Sequence, residues 1–388
     1  MNNKEIRKSV EFNLVEVIVL ILITGIVISL FSGLIVYNNY DKLASSDITI
    51  KDDKFSEFVS SYNHIMKSYV DEVDSDELIE AAIEGMYNYL NDDYSMYLDE
   101  DVTNNFEELL NGNYTGIGIE ITMDANKQIV INRIFTDSPA EKSGLKPGDI
   151  LLSIDGVDLT DKTSSYVADI IKKGDKETFS ISYKRNNKIN TVNITRTFVT
   201  IDSASSEVYG NVGYIKINTF SSNTYDQVKT IINKFDKKVT SLVIDVRDNS
   251  GGYLTTARDV SDLFVEKGKV IYQLKDRSSK ITKYTAKDDI ERKFNKIAVL
   301  INNGSASASE ILALALKESA GATIVGVKSF GKGTVQETET LNSGAMVKYT
   351  TAYWLSPSGK SINEVGIIPD IEEKVFEEQL NKAIKAVK

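Results

Sequence analysis

Cysteine is absent from this chain of 388 residues, histidine and tryptophan each occur once, and proline occurs four times. The missing cysteine excludes a disulfide framework, a thiol nucleophile, a cysteine zinc site and a lipidated N-terminal cysteine. A single histidine, His64, rules out a two-histidine HExxH zinc site and leaves a Ser-His-Asp triad one residue to use. His64 sits in SYNHIMKSYV, a helical-looking stretch that suits a surface or packing histidine. Hydrolytic chemistry in this chain therefore needs another base. The net charge of −11 and pI of about 4.9 argue against an extended nucleic-acid surface. Otherwise the composition, 41% apolar and 26% charged, is that of a globular chain long enough for two or three domains.

Long uncharged runs are scarce, with one exception. Val17 to Tyr37, VIVLILITGIVISLFSGLIVY, holds 21 residues without a charge. As a helix it would measure about 31 Å, enough to cross a hydrocarbon core. Upstream of it, Met1 to Lys8 carries Lys4, Arg7 and Lys8 against Glu5. That bias predicts a single-pass anchor in the cell membrane, with residues 1–16 cytoplasmic and everything after residue 37 extracytoplasmic. A cleaved signal peptide fits less well, because the run exceeds an ordinary h-region and no A-x-A-like site follows it. Residues 38–54 read as a polar tether.

The fold expected is α/β and multidomain. Residues 55–110 form an N-terminal helical region, with stripes at helical spacing (Phe55, Phe58, Tyr62, Ile65, then Leu78, Ile79, Ile83, Met86) and Asp74-Ser75-Asp76 to cap the second piece. These stripes pack on the body of the protein or on a second subunit, as in a homodimer. Over 111–196 the pattern turns to short strands: Gly116-Ile117-Gly118-Ile119-Glu120-Ile121, then Gln128 to Phe135, then Ile150 to Ile154. Pro139 opens a helical turn, Gly144 can end it, and Ser164 to Lys173 reads as a helix. Residues 197–374 alternate strands and helices, which argues for parallel pairing. Ser241 to Val246 is apolar enough to be buried on both faces and runs into the turn Arg247 to Gly252. Ile297 to Ile301 feeds a helix that begins near Ser307, Val335 to Leu341 and Val347 to Trp354 form a hairpin, and 375–388 is a closing helix.

Two stretches carry chemistry. Gly304-Ser305-Ala306-Ser307-Ala308-Ser309-Glu310 places small side chains at a helix N-terminus, where the dipole favours developing negative charge. Phe330-Gly331-Lys332-Gly333-Thr334-Val335 places a lysine between glycines, with Phe330 and Val335 able to exclude water. A lysine can accept a serine proton only when neutral, which requires its pKa to fall by about 3 units through desolvation. Composition does not choose among Ser305, Ser307 and Ser309, and by local physics alone a serine before a helix is an N-cap. The Ala308 N–H suits an oxyanion donor, with a second available from the Gly251-Gly252 turn.

The motifs settle more than the local physics does. SPAEKSGLKPGDILLSIDGVDL resembles a PDZ domain, β-sandwich-like with helices. The resemblance implies that Gly116, Ile117, Gly118 and Ile119 form a loop that binds a peptide carboxylate. NGSASASEI followed by FGKGTVQ is similar to the carboxyl-terminal processing peptidases, tail-specific serine proteases of the S41 class with a crotonase-like α/β core. DVRDNSGG and GIIPD resemble that family's glycine turn and closing motif. The family serine lies 25 positions before its lysine, which selects Ser307 for Lys332, and the family glutamine falls on Gln336. An arginine that senses bound peptide in the family falls on Lys172, or on Lys173. Lysine lacks the planar fork of arginine.

The resemblance thus implies a membrane-anchored Ser-Lys endopeptidase, without metal or other cofactor, acting on proteins or peptides with exposed, apolar C-termini. Two alternatives belong to other classes. One is a catalytically silent PDZ adaptor that gathers C-termini at the membrane. The other is an acyl-CoA-type enzyme built on the same crotonase-like core.

Overall fold

The structure is a computed structural model that describes residues 53–174 and 176–388. The predicted cytoplasmic segment, the anchor Val17 to Tyr37 and nearly all of the tether lie outside the described residues. Among the described residues no helix is long and apolar enough to cross a membrane. The described residues fall into two compact units, one ending at Ala82 and the other running from Ile83 to Lys388.

In the first unit Asp53–Ser68 is a helix, and a second helix, Ser75–Tyr89, within which the division falls, begins at Asp74, whose carboxylate accepts the N–H groups of Asp76 and Glu77. His64 lies on the first helix and its Nδ1 is 2.8 Å from the Ser60 carbonyl, a local contact one helical turn back.

The second unit is built on a six-stranded sheet. Its order is Ala204–Tyr209, Val212–Ile217, Ser241–Asp245, Ile297–Ile301, Thr323–Gly326 and Ile371–Glu372. The first pair is antiparallel and the rest are parallel. Helices Thr224–Lys234, Leu254–Asp262 and Ala308–Ala320 pack their Val228, Val260 and Ile311 on one face, against Leu242, Ile244, Val299 and Ile301. Helix Phe376–Val387 covers the other face, where Val243, Ala298, Leu300 and Val325 point. Alternate residues of Ser241–Asp245 therefore enter different cores, which is why that strand reads as continuously apolar.

A five-stranded sheet stands beside it. Met346–Leu355 pairs with Thr334–Thr340 in the expected hairpin, with Val270–Asp276, which pairs with Ile281–Thr285, and with the short strand Met96–Leu98. That last strand comes from the stretch read as helical, 55–110. The stretch leaves helix after Tyr89, lends a strand to this sheet, and returns to helix over Glu100–Asn111.

The PDZ-like segment holds one six-stranded sheet, ordered Ile119–Met123, Ile129–Ile134, Ile150–Ile154, Thr178–Arg185, Lys188–Thr195, with Val157–Asp158 paired to Ile150–Ile154. Helices Pro139–Lys142 and Ser164–Lys173 close its core of Ile131, Leu151, Val167 and Ile181. A separate antiparallel pair, Asn113–Gly116 with Thr197–Thr200, joins the way in to the way out.

Candidate active site

The turn after Ser241–Asp245 is anchored from several sides. The buried Asp245 accepts the Arg247 guanidinium and the Tyr214 hydroxyl, and Arg247 reaches on to the Phe376 carbonyl and Gln379. Asn249 donates to the Ile217 carbonyl and accepts from the Gly251 N–H. The serine-rich stretch is laced onto this turn: the Asn302 amide donates to Asp248, and the Ala306 N–H donates to the Asn249 carbonyl.

That lacing separates the three serines. Ser305 is buried, accepts the Asn302 N–H and donates to the Val246 carbonyl. Ser309 is buried and donates to the Asn249 carbonyl. Ser307 lines a cleft of about 670 Å³ together with Lys332, Gln336, Gly251, Gly252 and Tyr94. It precedes helix Ala308–Ala320 with φ 53 and ψ −113, far from the extended backbone of an ordinary N-cap. Positive φ in a non-glycine residue is costly and recurs where a side chain must be aimed.

The cap's acceptor is Glu310. Its buried carboxylate takes the Ser307 and Lys332 N–H groups on Oε2, both at 2.9 Å, and the Gly331 N–H and Ser329 hydroxyl on Oε1. One carboxylate therefore holds the backbones of Ser307 and Lys332. Burial pushes the Glu310 carboxyl up, against these four hydrogen bonds, which favour its ion. The Lys332 carbonyl accepts the indole N–H of Trp354, the chain's sole tryptophan.

The Lys332 amine is half-buried and its pKa is brought down to about 8, first by desolvation and then by the nearby Lys348 ammonium, with Asp92 and Glu310 opposing. Its cover is not the one expected from Phe330, which is 54% exposed. The amine lies 4.3 Å from the centre of the Tyr94 ring and makes no hydrogen bond to Ser307 Oγ. Gln336 does not bond the lysine either. Its amide donates to Thr334 and Thr350, and Thr350 in turn donates to Asp92.

Among the possible oxyanion donors, the Gly251 N–H is engaged by Asn249, whereas the Ala308 and Gly252 N–H groups have no partner among the described residues. Gly251 passes so close to Ser307 that a Cβ there would sit 3.2 Å from the serine Cβ.

Comparison with known proteins places the chain in a family. The chain matches peptidase family S41 over 211–373, a PDZ domain over 115–195 and the activating protease CtpB N-terminal domain over 35–102. It is 37% identical over 331 residues to the carboxy-terminal processing protease CtpB of Bacillus subtilis, covering 84% of this chain and 68% of that protein. It is 36% identical over 313 residues to a CtpA-like serine protease of Staphylococcus epidermidis, of whose length it spans 63%. The solved photosystem II D1 C-terminal processing protease aligns over 87% of this chain and 97% of its own, at 25% identity and a TM-score of 0.50. The chain belongs to the carboxy-terminal processing proteases of peptidase family S41.

In this S41 protein the PDZ groove is a second cavity, of about 250 Å³, between Ile119–Met123 and helix Ser164–Lys173. Ile117 and Ile119 line it, Gly118 takes φ 81 beside Ser138, and Gly116 ends the preceding strand. Tyr114 lines it too. The N–H groups of Gly118 and Ile119 bear on its hydroxyl, and burial still pushes that phenol up to about 12. Leu109 and Glu108 of helix Glu100–Asn111 border the same groove. Lys172 forms an ion pair with Glu108 and bonds Asn105, and Lys173 pairs with Asp101.

Sequence reasoning missed Asp92 and Tyr94, which lie far from both motifs along the chain, and Lys348 and Thr350, which face Thr338 and Gln336 across the hairpin. It also passed over Glu310 as a hub, although the Ser-x-x-Glu spacing is a capping-box signature that points to it.

Proposed function

We propose that this chain is a membrane-anchored serine endopeptidase in which Ser307 is the nucleophile and Lys332 the general base. Substrate C-termini enter through the PDZ groove, and the protease core faces the extracytoplasmic side. The observation that carries this reading is the half-buried Lys332 amine, brought down to about 8, in one cleft with the serine at a helix mouth. At that value an appreciable fraction of the amine is neutral near pH 7 and can accept a proton.

The neutral amine takes the Ser307 hydroxyl proton as Oγ bonds to the substrate carbonyl carbon. The Ala308 and Gly252 N–H groups receive the developing oxyanion, and Gln336 orients the lysine side through Thr334 and Thr350. When the tetrahedral intermediate collapses, the C–N bond breaks and the lysine ammonium gives its proton to the leaving amine. Water then attacks the acyl ester, its proton passes to Lys332, and the serine is regenerated. The anchor is supported by the uncharged run Val17 to Tyr37 and its flanking positive charge. The stripes of the N-terminal helices supply a surface through which two copies can pair.

The test is cleavage of an unstructured protein with an apolar C-terminus. Ser307→Ala is expected to bind it without cutting, and Lys332→Ala to be inactive from pH 6 to 10. Full activity of Ser307→Ala would remove the nucleophile assignment, and neutral-pH activity of Lys332→Ala would remove the base.

A further inference from the structure

We propose that Tyr94 and Asp92 are positioning residues for the Lys332 amine: the Tyr94 ring is where the ammonium rests, and the Asp92 carboxylate steadies both that ammonium and the strand carrying Gln336. The proposal rests on the reading of Lys332 as base.

These residues belong to a short strap, 91–95, that the S41 motifs do not include. The strap is fastened at both ends. Asp92 Oδ2 accepts the Ser95 and Thr350 hydroxyls, both at 2.6 Å, and its Oδ1 accepts the Tyr94 N–H. Ser95 Oγ accepts the Thr350 N–H at 3.0 Å, and the next three residues, Met96–Leu98, pair with the strand that carries Thr350. Thr350 Oγ1 meanwhile accepts from the Gln336 amide. A chain of hydrogen bonds therefore runs from Asp92 through Thr350 to Gln336, on the strand that follows Lys332. The strap closes the cleft and presents the Tyr94 ring face to the amine at 4.3 Å.

The charges around the amine oppose one another. A ring face and a carboxylate favour the ammonium; burial and a neighbouring ammonium favour the neutral amine. Facing Lys332 are Asp92, Glu310 and Lys348, the last lying over the Phe106 ring at 5.4 Å. Facing the Tyr94 phenol are Asp93, Asp92, Glu310 and Glu364, which with burial keep it protonated. A neutral phenol gives the ammonium a quadrupole to rest on without the full pairing a carboxylate would impose. The amine can then lose its proton and leave the ring for the serine.

The experiment reads the protonation of Lys332 in two ways in the full chain. The first is the pH dependence of Lys332 acetylation by acetic anhydride, followed by mass spectrometry in a Ser307→Ala background, so that no activity is needed. The second is the acid limb of kcat/KM with Ser307 present. Tyr94→Leu keeps an apolar cover and removes the quadrupole, so both midpoints are expected to fall by about one pH unit, tenfold in the proton equilibrium. Asp92→Asn is expected to move them the same way, Lys348→Met the opposite way, and Tyr94→Phe to leave them in place. A strap that merely fills space would shift stability without this pattern of signs. Unchanged or raised labelling midpoints in both Tyr94→Leu and Asp92→Asn overturn the proposal. If Tyr94→Leu does not fold, Asp92→Asn and Lys348→Met decide it. Should the wild-type chain cut nothing, the peptidase reading fails, while the labelling midpoint still decides where the amine rests.

Discussion

Glu310 is the residue on which the two halves of the site depend. Its two oxygens take four donors, and two of those donors are the backbone N–H groups of Ser307 and Lys332, 25 residues apart in the chain. Glu310→Gln keeps the shape but turns one oxygen into a donor that faces other donors. Leaving buried donors unpaired is expected to cost about 2–4 kcal/mol, read by urea unfolding, together with a fall in kcat/KM of roughly a hundredfold as the nucleophile and base lose registry. A loss under about 1 kcal/mol with full activity would show that the four bonds are dispensable. Lys332 carries the pH dependence. The fold disfavours its ammonium, so the unfolded chain, with an ordinary value of 10.5, holds the proton more tightly than the native site at about 8. This group's contribution to stability therefore rises with pH between about 8 and 10.5 and is least favourable below 8. Activity, which needs the neutral amine, is expected to climb through about pH 8 with a slope of one. A flat profile from pH 6 to 9 would exclude a titrating lysine.

At the scale of elements, much of the site was legible because its parts are local in sequence. The apolar strand Ser241–Asp245, the serine-rich helix mouth and the hairpin around Thr334–Thr340 each declare themselves by period and composition. What did not declare itself is what other segments bring across. The strand Met96–Leu98 is three residues long, too short for periodicity to register, and its partner lies some 250 positions away. The strands Val270–Asp276 and Ile281–Thr285 flank a charged turn and carry no motif that marks them. Gly251 and Gly252 were legible as a turn, but not as two glycines with different tasks. At Gly251, φ 117, a Cβ would meet Ser307 and the Ala306 carbonyl at 3.2 Å; at Gly252, φ 138, it would lie 2.3 Å from the Phe220 carbonyl oxygen. Gly251→Ala is thus expected to displace Ser307 and lose activity by about a hundredfold, the scale of losing an oxyanion donor, with some loss of stability from its positive φ. Gly252→Ala has to move backbone that bears the second proposed donor, so it is expected to lose activity as well and to melt several degrees below Gly251→Ala. Circular-dichroism melts beside cleavage rates read both, and equal melting temperatures for the two variants would refute the distinction.

Across the whole molecule, the PDZ groove and the catalytic cleft meet at one helix. Glu100–Asn111 sends Leu109 to both cavities, Glu108 to the groove and Phe106 to the cleft. Lys172, at the position where the family resemblance puts a sensing arginine, is tied to that helix through Glu108 and Asn105. Tyr114 lines the groove, and the N–H groups of Gly118 and Ile119 oppose the burial that pushes its phenol up to about 12, so it stays neutral across physiological pH. Under the proposed binding mode a peptide carboxylate takes those same N–H groups and meets the phenol there. Tyr114→Phe removes the hydroxyl while keeping the ring that packs beside Phe135, 6.3 Å away between centroids. At the scale of one neutral polar group, about 1 kcal/mol, the variant is expected to bind a fluorescent peptide with an apolar C-terminus about fivefold more tightly by anisotropy. The same peptide amidated at its C-terminus should bind weakly and equally to both proteins. Weaker carboxylate binding by Tyr114→Phe would mean that the hydroxyl assists the ligand, and that the peptide end seats beside Tyr114 without displacing it.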